Sequence, residues 1–148
     1  MKEKAKRIAL SIFNMEKAYF LQRRPKRVLE AELFLMYALE DGEPHSQKDI
    51  AENWLIPRTT VNTITKRWER AGYLTLVPIR GQKREMQIVL TDSGKQYAKD
   101  ILADVHFAED KALKKTLERY SEEFIDALEY YKACLKDAFT EESEGMPV

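Results

Sequence analysis

Ala5, Ile8, Ile12, Met15 and Tyr19 recur at steps of three and four residues among Lys, Arg, Glu and Ser, which predicts a helix over residues 2–22. The stretch Gln22–Arg27 breaks the pattern, and Pro25 is placed to begin a second helix carrying Leu29, Leu33, Met36 and Tyr37. Asp41-Gly42-Glu43-Pro44 is a turn signal that ends it. Ser46, with Asp49 three positions on, is a variant of the capping box. The helix it opens is short, because Pro57 must lie near the start of another one that runs to Gly72. Leu74–Ile79 and Met86–Leu90 have strand character, and Pro78 gives the first of them a free edge. Thr91 then caps a long helix with Tyr97, Ile101, Leu102 and Val105. Ser121 opens a last one with Phe124, Ile125, Leu128, Tyr131, Leu135 and Phe139. The expected order is four helices, a hairpin and two helices, with residues 141–148 as a disordered tail.

Length and composition narrow this only a little. The 148 residues suit one domain with its own core, and their net charge is zero. The distribution of charge is more informative. Residues 57–84 carry seven basic residues against Glu69 alone, a net of +6, while residues 92–148 carry eight basic against fourteen acidic, a net of −6. One segment is suited to meet an anion and the C-terminal part to avoid it. The single Cys134 excludes an internal disulfide framework and suits a reducing cytoplasm. No apolar run approaches the ~20 residues that span a membrane, so a cytoplasmic protein is expected.

The helix after Pro57 separates its residues by face. Val61, Ile64, Trp68 and Ala71 share one side; Thr59, Asn62, Thr63, Lys66 and Arg70 share the opposite side, flanked by Arg58, Thr60 and Arg67. Short hydroxyl and amide groups near the helix start suit base edges in a major groove, and the cations further along suit phosphates. The hairpin tip repeats the positive sign with Lys83 and Arg84. Two short helices across a tight turn, followed by a basic hairpin, outline a winged helix-turn-helix. The fold class expected is mainly α with a small β-hairpin wing and amphipathic terminal helices.

Ser46–Ala51, Ile56-Pro57-Arg58-Thr59-Thr60-Val61, Gly72-Tyr73-Leu74, the Lys83-Arg84 wing and Leu90-Thr91-Asp92-Ser93-Gly94 together resemble the DNA-binding core of the MarR-type (multiple antibiotic resistance) regulators. The resemblance covers about a third of the chain. It implies one domain over 1–148, with a winged-helix lobe at 28–90 and dimerisation helices at 2–22 and 92–140. It also implies a homodimer on double-stranded DNA, with a repressor on a pseudo-palindromic operator expected, an activator as the alternative, and release by a small-molecule effector left open. Arg84 would enter the minor groove, while Arg58, Thr59, Thr60, Asn62 and Thr63 would lie in the major groove. Ser46 and Gln47 would sit near phosphates. Two departures stand out. Gln82 replaces an Asp that often precedes the wing arginine by two positions, which loosens the hold on Arg84. Leu55 replaces a Gly common in the turn between the two helices, so a turn of different backbone geometry is expected.

Other chemistry has less support. Phe13, Tyr19, Phe20, Tyr37 and Phe107 are candidates for lining an effector pocket, with aromatic core packing as the plainer alternative. Cys134 lies among core-like positions and is read as a packed, inert thiol. His45 and His106 lack metal-ligand spacing, and His106 near Asp104, Glu109 and Asp110 is read as a surface histidine. No phosphate loop or nucleophile elbow is present, so neither enzyme activity nor a cofactor is expected. The competing functional reading is a winged helix that docks a protein partner instead of DNA.

Overall fold

The computed structural model describes residues 1–23, 30–81 and 85–144, with the backbone alone for residues 20–23 and 142–144. Its elements are α1 (Lys2–Arg23), α2 (Glu30–Leu39), β1 (His45–Ser46), α3 (Gln47–Asn53), α4 (Arg58–Arg70), β2 (Leu74–Pro78), β3 (Met86–Leu90), α5 (Asp92–Leu117) and α6 (Glu123–Glu144). The expected start of the second helix, with Pro25 and Leu29, lies outside the described residues. The helical assignment of α6 to Glu144 corrects the expectation that a disordered tail begins at residue 141.

Two compact units divide the chain, Met1–His106 and Phe107–Val148. The first holds the core: Leu35, Met36 and Leu39 of α2, Ile50 of α3, Val61, Ile64 and Trp68 of α4, Leu74 and Ile88 of the sheet, and Leu102 of α5. On α4 these apolar positions recur at three and four residues, so that helix turns one stripe inward, whereas α2 buries Leu33, Leu35, Met36, Ala38 and Leu39. In the second unit the side chains stay outward: Phe107, Tyr130 and Phe139 are 71%, 74% and 65% exposed. Cys134 on α6 is exposed as well, where a packed position was expected.

The sheet has three strands in the order β1-β3-β2, all antiparallel. β1 was not foreseen, because two residues are too few to show alternation. It pairs His45 with Ile88 and Ser46 with Gln87. β2 is an edge strand, as Pro78 requires, and Pro78 lies opposite Met86. Ahead of β1, Asp41 accepts from His45 Nε2 at 2.9 Å and from the Glu43 N–H. Partial burial raises the Asp41 pKa, but these hydrogen bonds outweigh it and hold the carboxyl below its usual value.

α3 and α4 end in the same way. Beyond Arg70, Tyr73 N donates to Trp68 O and Gly72 N to Glu69 O, with Gly72 at φ +79. This is a Schellman motif with glycine in its left-handed position. After α3, Ile56 N donates to Ala51 O and Leu55 takes the left-handed place at φ +50. The expectation of a different turn at Leu55 is therefore corrected: the backbone keeps the left-handed geometry without glycine. Leu there costs ~1–2 kcal/mol, and its side chain, 90% exposed, recovers none of it. Ile56 and Ala51, the positions of the apolar pair typical of this motif, are both buried, and their hydrogen bond holds the turn.

Candidate nucleic-acid interface

α3 is opened by Ser46, whose Oγ accepts from Asp49 N at 2.9 Å. Gln47 Nε2 donates to Thr65 Oγ1 at 3.3 Å, and Thr65 Oγ1 donates to Asn62 O at 3.1 Å. The side chains of Ser46 and Gln47, expected near phosphates, are thus engaged within the helix pair. Thr65 is fully buried and sits beside Ile64 and Trp68 on the inward face of α4. Sequence reading missed it, although its position one turn after Val61 is a usable signal. Ala71, expected on that face, is exposed at the helix C-cap.

The outward face of α4 carries Thr59, Asn62, Thr63, Lys66 and Arg70, all exposed, with Thr60 half-buried beside it. Thr63 Oγ1 donates back to Thr59 O at 2.8 Å, which leaves the hydroxyl oxygen able to accept. Pro57 precedes the helix without a capping side chain and no acid lies in the first turn. The N–H groups of Arg58 and Thr59 therefore have no side-chain cap and favour a negative partner, while Thr60 N donates to Pro57 O.

Two of the residues expected to contact DNA have acidic partners in the free chain. Arg67 pairs with Glu32 on α2, a residue whose side chain is only 11% exposed. Arg58 Nη2 donates to Glu85 Oε1 at 2.9 Å, just before β3. Among the described residues Lys66 and Arg70 form no ion pair, so the open cations of α4 are these two. Gln82, Lys83 and Arg84 lie outside the described residues.

A separate joint fixes the far end of α4. Thr91 Oγ1 and Ser93 Oγ both donate to Gly72 O, at 2.6 and 2.8 Å, and Thr91 Oγ1 accepts from Gly94 N. Tyr97 stacks on Tyr73 with centroids 4.2 Å apart and meets Trp68 edge-on at 6.1 Å. Burial raises the Tyr97 pKa, Tyr73 adds to the rise, and Arg67 opposes it. The start of α5 is thereby bonded to the end of α4.

The aromatics expected around an effector have separate surroundings where they are described. Phe13 is 65% exposed, Tyr19 and Tyr37 pack against the core, and the Phe20 side chain lies outside the description. Phe107 belongs to the second unit. Tyr37 instead meets Trp54 at 5.5 Å and His106 at 5.4 Å. His106 Nε2 lies 2.5 Å from Glu40 Oε2, just beyond the end of α2. A cleft of about 480 Å³ does open beside the α3–α4 turn, lined by Glu16, Phe34, Trp54, Leu55, Pro57 and Thr60 among others. Among the described residues no cluster of His, Cys, Asp and Glu could hold a metal, and no helix is long and apolar enough to cross a membrane.

This arrangement is a winged helix-turn-helix, and solved structures share it. NMB1585, a MarR family regulator from Neisseria meningitidis, superposes with a TM-score of 0.78 at 17% identity, covering 94% of this chain and 98% of that one. NadR in complex with 4-hydroxyphenylacetate gives 0.65 at 20% identity, with 94% of each chain covered. Overoxidized AbfR bound to DNA gives 0.60 at 18%, covering 94% and 99%. No curated protein matches the chain. Residues 28–85 match the model of the MarR family.

Proposed function

We propose that this chain is a sequence-specific regulator of transcription that binds double-stranded DNA as a homodimer and acts as a cytoplasmic repressor. The observation that carries the reading is the exposed stripe of α4, in which Thr59, Asn62 and Thr63 lead to the open cations Lys66 and Arg70. In this reading α4 enters a major groove, while Lys83 and Arg84 of the wing reach the adjacent minor groove. A two-fold dimer places its half-sites about 34–36 Å apart. Fluorescence anisotropy against the DNA flanking its own gene should show tight binding at low salt that weakens steeply as salt rises. No binding at low salt would contradict the proposal. Asn62→Ala should cost about 1–3 kcal/mol on the preferred sequence and little on random DNA, if Asn62 reads a base edge.

The terminal helices supply the dimer frame. Leu10, Phe13 and Met15 on α1 and Leu128, Tyr130 and Phe139 on α6 are exposed in a single chain, and a second copy would cover them. Sedimentation equilibrium at micromolar concentration should give twice the chain mass, and a monomer there would contradict the frame. A small-molecule effector belongs to the same reading, as NadR holds 4-hydroxyphenylacetate. The cleft beside the α3–α4 turn is of a size that takes small ligands.

A further inference from the structure

Arg58 and Glu85 face each other across the reading surface, one in the first turn of α4 and the other at the base of the wing. Their side chains are 60% and 22% exposed, and they meet at 2.9 Å through Glu85 Oε1. The second carboxylate oxygen, Oε2, is buried and has no hydrogen-bond partner among the described residues. The backbone holds the same corner: Ile79 N donates to Glu85 O at 3.1 Å, just beyond the Pro78–Met86 pair.

Stability does not account for this pair. An ion pair with so exposed an arginine contributes little. A buried carboxylate oxygen without a donor is a cost. An acid on a DNA-facing surface also opposes the approach of phosphates. What the contact does supply is a fixed link between the wing base and the start of α4.

We propose that Glu85 is a positioning residue which, through Arg58, sets the wing against α4 so that both engage DNA at once. Arg58 is then a strut and not a base contact. The inference rests on the DNA-binding reading above, and goes beyond it in assigning Arg58 and Glu85 to geometry. Electrostatics and the strut predict opposite signs for one substitution. Removing an acid beside DNA should strengthen binding if charge alone matters. If the strut matters, Glu85→Ala weakens operator binding by about tenfold. Glu85→Gln, which can keep the hydrogen bond to Arg58, stays within about threefold of the parent.

The test pairs anisotropy titrations of the full chain, Glu85→Ala and Glu85→Gln with amide hydrogen exchange on the free proteins. Expected are the weakened Glu85→Ala, the rescue by Glu85→Gln, and faster exchange of the Ile79 amide in Glu85→Ala without DNA. Glu85→Ala binding as tightly as the parent, or tighter, overturns the strut, as does unchanged Ile79 exchange. If the parent itself binds no DNA, the functional reading fails, and the Ile79 exchange alone decides whether the strut exists.

Discussion

Gly94→Ala should cost about 3 kcal/mol or more and lower the melting temperature by roughly 10 °C. A Cβ built on Gly94 falls 1.7 Å from the Tyr73 carbonyl oxygen and 2.7 Å from its carbon. Both are backbone atoms, so no rotamer change can make room. Relief requires α5 to move away from the end of α4, and that movement breaks the bonds from Thr91 and Ser93 to Gly72 O. It also opens the Tyr73–Tyr97 stack. Against a total stability of about 5–15 kcal/mol this is a large loss. Thermal unfolding followed by circular dichroism measures it, and a melting temperature unchanged by the substitution would contradict the packing described.

Replacing Lys66 and Arg70 together by Ala should flatten the salt dependence of DNA binding. Each phosphate contact contributes a log-log slope of about −0.9, and a dimer loses four such cations, so the slope should fall by about 4 units. At about 0.1 M salt this corresponds to roughly a thousandfold loss of affinity. Both side chains are exposed and make no ion pair among the described residues, so the fold should be unaffected. Arg67→Ala is the instructive contrast. Arg67 is paired with Glu32, so its loss should change the salt slope less and stability more. Titrations at several salt concentrations separate the two cases. Equal slopes in all variants would remove α4 from the DNA contact.

The helices were legible because their apolar residues recur at the helical period over several turns. Gly72 and Thr91 were legible because their residue types have few other uses at helix ends. β1 was not, since two residues carry no alternation, and only its pairing with β3 reveals it. The turn at Leu55 misled in the opposite direction. Its left-handed backbone is held by the hydrogen bond from Ile56 to Ala51 and the burial of both, which outweigh the preference for glycine. Ser46 was recognisable as a helix cap, and the same capping bond explains why its side chain is turned toward Asp49.

The candidate site was legible as a face but not as a set of partners. The helical wheel separates Thr59, Asn62, Thr63, Lys66 and Arg70 from the core, and their exposure agrees. It cannot show that Arg67 meets Glu32 or that Arg58 meets Glu85, because those acids come from distant parts of the chain. The basic charge of residues 57–84 therefore overstates what is open to DNA. Gly94 is visible in the sequence as part of a motif, but its physical reason, the Tyr73 carbonyl lying where a Cβ would be, appears only in the fold.

The central claim is that the outward face of α4 meets DNA. Nuclear magnetic resonance of the isotopically labelled chain, titrated with a DNA fragment selected for binding from its own genomic surroundings, tests it residue by residue. The largest amide shifts are expected at Thr59, Asn62, Thr63, Lys66 and Arg70, with α6 unmoved. Shifts confined to other surfaces, with the α4 amides unchanged at saturating DNA, would contradict it.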